Sequence, residues 1–338
     1  MDNAMNYQPT NILTTVDYKK EGKQTGYLRL PHSVHSSAYG WIPLPVACIK
    51  RGKGPTVLLI SGTHGDEYEG QVTLSKLICR LEPDDVQGRI IILPMANFPA
   101  AKEGLRTSPI DELNLNRVYP GDPNGTPTLM IAHYVESVLM AMADFGLDLH
   151  SGGSSLHYVP SAVSARESDP ERMKEIQGLM QIFGAPYSFF FPEGHAGGTT
   201  NHGAKRQNVV LFGTEMGGSG TVTQDCLKYC EEGVERVLSE IGVLKNCSVA
   251  PAENNSRMLH APNFDYFCYA DDQGLFEPVA ALGSEVSEGD SAGYVHFPEN
   301  PGVPAVEVRF DASGVVVCQR IPGRVIRGDC LYHLGCDF

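Results

Sequence analysis

The chain has 338 residues, 42% of them hydrophobic, and its 26 basic against 40 acidic side chains leave a net charge of −14. At roughly 100–200 residues per domain the length points to two domains with a substantial core, and the acidic surface excludes nucleic acid and anionic membrane surfaces as general partners. No apolar run reaches the roughly 18 residues of a membrane span, and the N-terminus lacks the basic-then-apolar order of a secretory signal, so a cytoplasmic protein is expected.

Residues 1–50 carry turn signals and one clear short strand, residues 46–49, after the turn residues Pro43 and Pro45. From Thr56 the continuous apolar run TVLLISG suits a strand buried on both faces. Residues 67–81 place Val72, Leu74, Leu77, Ile78 and Leu81 at near-helical spacing, and residues 89–97 read as a second buried strand, completing a β-α-β unit. A helix over 130–142, a strand over 145–152, a helix over 171–184 capped by Ser168 or Asp169, a strand over 209–215 and a helix over 226–244 follow. This alternation predicts an α/β fold, a mostly parallel sheet with helices on both faces. After Lys245 a polar stretch leads into short strands punctuated by Gly289-Asp290 and Gly328-Asp329, which predict a small β domain. The expected division is a catalytic domain over 1–245, with an N-terminal β segment, and a β domain over 246–338. The nine cysteines are odd in number and form no CxxC motif, so buried thiols are expected rather than a disulfide framework.

The strongest local signal is SGTHGDEYEG, residues 61–70, in which His64 and Glu67 stand three apart just after a buried strand. An imidazole and a carboxylate aimed at one spot suit zinc, although an exposed His and a solvated Glu at a helix start fit the same letters. His150 closes another predicted parallel strand, and ligands gather at the carboxyl ends of such strands. Three ligands leave a position open for water, the pattern of a catalytic zinc. Asp148, two residues earlier, either orients a ligand imidazole or serves a structural role. His195 and His202 fall in a Gly-rich stretch expected to be a loop and are taken as loop residues, not ligands. Glu215 ends the 209–215 strand and can shuttle the proton of a hydrolysis. Arg106 can polarise a carbonyl, and Asn116 with Arg117 can grip a carboxylate.

His64/Glu67, Asn116/Arg117, His150 and Glu215, in that order, resemble the succinylglutamate desuccinylase/aspartoacylase family of the zinc carboxypeptidase-like clan, over residues 45–245 by motif. Within the family, THGDEYEG, the SPID…NLNR…PGDPNGT stretch and DLHSGG are similar to the Nα-acetyl-L-2,4-diaminobutyrate deacetylases of ectoine breakdown. The resemblance implies one Zn2+ per chain and hydrolysis of a small N-acyl amino acid. By it His64, Glu67 and His150 are the metal ligands, Glu215 and Arg106 are catalytic, and Asn116 and Arg117 bind the α-carboxylate. The C-terminal segment looks like a biotinyl or lipoyl carrier barrel, but residues 251–338 contain no lysine for attachment. Shaping the active-site entrance or an oligomer contact is the expectation for it, with homo-oligomer formation left open. A zinc carboxypeptidase cutting short peptides, or a non-catalytic metal-binding protein, are the alternatives.

Overall fold

The computed structural model describes residues 9–192, 196–252 and 256–338. Four strands, Gly88–Leu93, Thr56–Ser61, Phe145–His150 and Val210–Glu215, lie side by side and parallel in that order. Their side chains are apolar on both faces because both faces are covered. In Thr56–Ser61, Leu58 and Ile60 pack with the helix Pro127–Tyr134 and its continuation to residue 142. Val57 and Leu59 face the helices Glu69–Arg80, Pro170–Phe183 and Gln224–Glu240. Residues 57–60 are all fully buried, each such side chain stabilising the fold by about 1.5–3 kcal/mol of apolar transfer. The Pro170–Phe183 helix is capped by Asp169, whose carboxylate accepts from Glu171 N at 3.0 Å.

The sheet is mixed, a correction to the expected mostly parallel one. Ser161–Ala165 joins Val210–Glu215 antiparallel, Tyr187–Phe191 and Arg257–His260 continue parallel to it, and Cys330–Asp337 and Gly314–Arg320 add antiparallel pairs. At the other edge Gly22–Pro31 and Trp41–Arg51 are antiparallel. Periodicity does not carry strand direction, and the short strands between residues 156 and 191 alternate too weakly to announce themselves. Pro43 and Pro45 are also not turn residues; they lie inside the Trp41–Arg51 strand. Only Gly22–Pro31 pairs with them there, since Gly88–Leu93 joins from Ala47 onward, so one side of the strand has no ladder to lose.

Strands from beyond residue 245 thus extend the central sheet, while Val306–Arg309, Ser291–His296, Gly274–Pro278 and Arg324–Val325 form a separate antiparallel sheet with its own core around Phe276, Phe310 and Tyr332. All nine cysteines are free, and five of them are buried. Among the described residues no helix is long and apolar enough to cross a membrane.

Candidate metal centre and its cavity

Three adjacent parallel strands end at one edge, and each delivers a functional side chain there. His150 and Glu215 are the last residues of their strands and stand opposite each other in register. The chain leaving Thr56–Ser61 turns through Gly62, at a φ of 64°, a left-handed conformation suited to glycine. Gly65 lets this turn lie against the Phe98–Glu103 helix, where a Cβ would come within 2.2 Å of the Ala100 backbone. That close approach buries His64 and Glu67 beside His150, at 4%, 3% and 8% exposure.

His64 Nδ1 lies 2.7 Å from Glu67 Oε1, and His150 Nδ1 lies 2.8 Å from Glu67 Oε2. The ligand atoms of all three residues fall within 4.8 Å of one another. Their outer nitrogens are also held. His64 Nε2 donates to Asn114 Oδ1 at 3.1 Å. His150 Nε2 sits 2.9 Å from Asp148 Oδ2, a close charge contact whose angle falls short of a hydrogen bond. Asp148 accepts in addition from Thr63 Oγ1 at 3.0 Å and Thr200 Oγ1 at 2.7 Å. Two imidazoles with outer nitrogens engaged and inner nitrogens converging on a carboxylate form an N/O donor set that fits zinc.

Charge follows geometry. Burial works to raise the Glu67 carboxyl, but the His64 and His150 imidazoles outweigh it and hold it below the usual carboxylate range. Burial lowers His64; for His150 burial is overcome by Asp148 and Glu67, which push it up. Burial, aided by the Glu67 charge, pushes Glu215 well above the carboxylate range. Glu215 Oε2 is buried without a hydrogen-bond partner among the described residues, so an unsatisfied carboxylate oxygen stands beside the triad.

These residues line a cavity of about 430 Å³, within the roughly 300–1,000 Å³ range of small-molecule sites. Arg106, Asn116 and Arg117 reach it from the segment after the Phe98–Glu103 helix. Arg106 Nη1 lies 3.5 Å from Glu67 Oε1. Asn116 Oδ1 accepts from Thr200 N at 2.8 Å, which leaves its amide nitrogen for an anionic group. Burial and the Arg106 charge pull the Arg117 guanidinium down in pKa. The segment is anchored by Asp111, which accepts from Thr128 N at 2.8 Å and Thr128 Oγ1 at 2.7 Å at the start of the Pro127–Tyr134 helix. Phe267, Tyr269, Cys330 and His333 wall the cavity from the C-terminal part of the chain, and Tyr158 OH lies 2.9 Å from His333 Nδ1.

The structure thus brings together His64, Glu67, His150, Glu215, Arg106, Asn116 and Arg117. His202 is not in a loop; it sits in the Thr200–Arg206 helix, its Nδ1 2.7 Å from Thr199 Oγ1, and it stands outside the metal cluster. His195 lies outside the described residues. Asn114, Thr63 and Thr200 escape sequence reasoning; the NLNR stretch carries a signal for Asn114 and THGDEYEG one for Thr63, but Thr200 has none.

The model of the succinylglutamate desuccinylase/aspartoacylase catalytic domain matches residues 53–241. The N-alpha-acetyl-L-2,4-diaminobutyric acid deacetylase of Halomonas elongata is 41% identical over 324 residues, 96% of this chain and 94% of that protein. A product-bound structure of the ectoine utilization protein EutE (DoeB) from Ruegeria pomeroyi matches with a TM-score of 0.93 at 38% identity, covering 97% of this chain and 99% of that one. A succinylglutamate desuccinylase/aspartoacylase structure from Rhodobacter sphaeroides matches with a TM-score of 0.92 at 36% identity over the same shares, 97% and 99%.

Proposed function

The chain belongs to the succinylglutamate desuccinylase/aspartoacylase family, and on that premise we propose that it is a zinc-dependent amidohydrolase acting on Nα-acetyl-L-2,4-diaminobutyrate or a similarly small N-acyl amino acid. The observation that carries this is the unpartnered Glu215 Oε2 beside the His64–Glu67–His150 cluster in one cavity. A binding module has no use for a buried, unsatisfied carboxylate next to an open metal position.

His64, Glu67 and His150 would hold the ion. When bound, zinc supplies a Lewis acid and lowers the pKa of water toward neutrality. Glu215 takes the proton of the attacking water and returns it to the leaving amine, a task suited to a buried carboxylate whose Oε2 has no other hydrogen-bond partner among the described residues. Arg106, close against Glu67, steadies the negative charge that develops on the scissile carbonyl oxygen. Asn116 and Arg117 hold the α-carboxylate through charge-assisted hydrogen bonds. In this reading residues 1–245 form the catalytic domain, and residues 246–338 form a β domain whose Phe267 and His333 limit the cavity to short substrates. Such a wall favours a deacylase over a carboxypeptidase acting on peptides.

Purified protein supplied with zinc and offered N-acetyl, N-succinyl and short-peptide amides tests the reading. The expected result is about one zinc per chain and the highest kcat/KM on the N-acetyl diamino acid. Preferred release of a peptide's last residue would replace it with a carboxypeptidase; bound zinc with no turnover would replace it with a metal-binding protein.

A further inference from the structure

The contacts around the metal centre close into a circuit. On its inner side, Glu67 bridges the Nδ1 atoms of His64 and His150. On its outer side, Asn114 Oδ1 accepts both from His64 Nε2 and from Asn116 N, the latter at 2.9 Å. Asn116 Oδ1 then accepts from Thr200 N. Thr200 Oγ1 lies 2.7 Å from Asp148 Oδ2 and 3.0 Å from Asn116 Oδ1, and Asp148 Oδ2 meets His150 Nε2.

Thr200 is where the two halves meet. As the first residue of the Thr200–Arg206 helix its N–H has no intrahelical acceptor, so it is available to Asn116. Its hydroxyl has a single proton, and the shorter contact, to a carboxylate, is the stronger acceptor. The backbone therefore holds the carboxylate-gripping residue while the hydroxyl holds the carboxylate behind a metal ligand. Thr200 and Asp148 are both 2% exposed, so water does not substitute for a lost bond at this point.

We propose that Thr200 is a positioning residue that couples the metal ligands to the substrate-carboxylate grip, its hydroxyl fixing Asp148 against His150 and its N–H fixing Asn116. The inference rests on the zinc amidohydrolase reading and extends it to the supports of the ligands.

Thr200→Val keeps the volume and the N–H and removes only the hydroxyl. Zinc affinity, measured by competition with a chromophoric chelator in the absence of substrate, is expected to fall about tenfold, in the range typical of lost supports behind metal ligands; Thr200→Ser is expected to restore it. Asn114→Ala opens the circuit at its other end, away from the Thr200–Arg206 helix, and is expected to weaken zinc similarly. Circular dichroism identifies the folded variants. If a folded Thr200→Val or Asn114→Ala protein binds zinc as tightly as the parent, the coupling is overturned while the proposed function stands. A parent protein that binds no zinc overturns the proposed function and the coupling with it.

Discussion

The cavity has two unlike halves. The side proposed to hold the metal is built from strand ends: His150 and Glu215 terminate neighbouring strands, and His64 and Glu67 follow a third, so ladder hydrogen bonds set the backbone that carries them. The side proposed to take the substrate is built from residues 104–126, where the only regular element is the single 3-10 turn Leu115–Arg117. There position comes from side-chain contacts: Asp111 to Thr128, Asn114 to His64, Asn116 to Thr200. His64, Glu67 and His150 are buried, whereas the Arg106 side chain is 44% exposed. A rigid edge suits a metal, which needs fixed donors; an adjustable loop suits recognition, because its residues change without disturbing the sheet.

Changes on the strand-end half are expected to have the largest effects. Glu215→Gln keeps the shape and removes the base: turnover is expected to fall about 10²–10⁴-fold with metal content unchanged in the same preparation. Persisting turnover would transfer the proton shuttle to another group. On the loop half, Arg117→Ala removes one charged hydrogen-bond donor, for a loss of about 1.5–3 kcal/mol, read as a rise in KM of roughly 10–100-fold with kcat little changed. A fall in kcat at constant KM would place Arg117 with the reacting atoms instead.

A smaller effect is expected from the loop's anchor. Asp111→Ala leaves the start of the Pro127–Tyr134 helix uncapped, costing about 1 kcal/mol by analogy with lost N-caps, seen in urea unfolding. Burial raises the Asp111 carboxyl, but the hydrogen bonds from Thr128, Thr126 and Ser108 together outweigh it and lower it below its ordinary value. A lowered native pKa means the contribution is complete above the unfolded value of about 3.9 and disappears as pH falls through the lower native one. The stability gap between parent and Asp111→Asn should therefore be constant above about pH 5 and close on acidification; a gap that persists at the acid end would exclude the carboxylate as its source. Least of all, His202→Ala should leave zinc content unchanged, since its Nδ1 is engaged with Thr199. Loss of zinc would enlarge the ligand set.

The same division separates what was legible in the chain from what was not. The parallel strands were legible because a strand buried on both faces is apolar at every position, and the candidate residues that line the cavity because His-x-x-Glu, Asn-Arg and the strand-terminal His150 and Glu215 fall at readable places. Pro43 and Pro45 misled because proline's cost depends on whether a neighbour pairs with that side of the strand, and the neighbour, Gly88–Leu93, stops short of them. The helix around His202 was hidden by flanking glycines and by a first turn capped by Thr199 and Asn116, the latter 84 residues away from Thr200.

By itself, then, the sequence determined the α/β core and the order along the chain of the residues proposed as metal ligands. The tertiary structure alone decided the mixed direction of the sheet, the wall that Phe267 and His333 build, and the supports that Asn114 and Thr200 provide. The physical reason is range. Burial and spacing act between near neighbours and leave a periodic trace, whereas the contacts His64–Asn114 and Asp148–Thr200 join residues 50 and 52 positions apart, and chain closure over such distances leaves no local pattern to read.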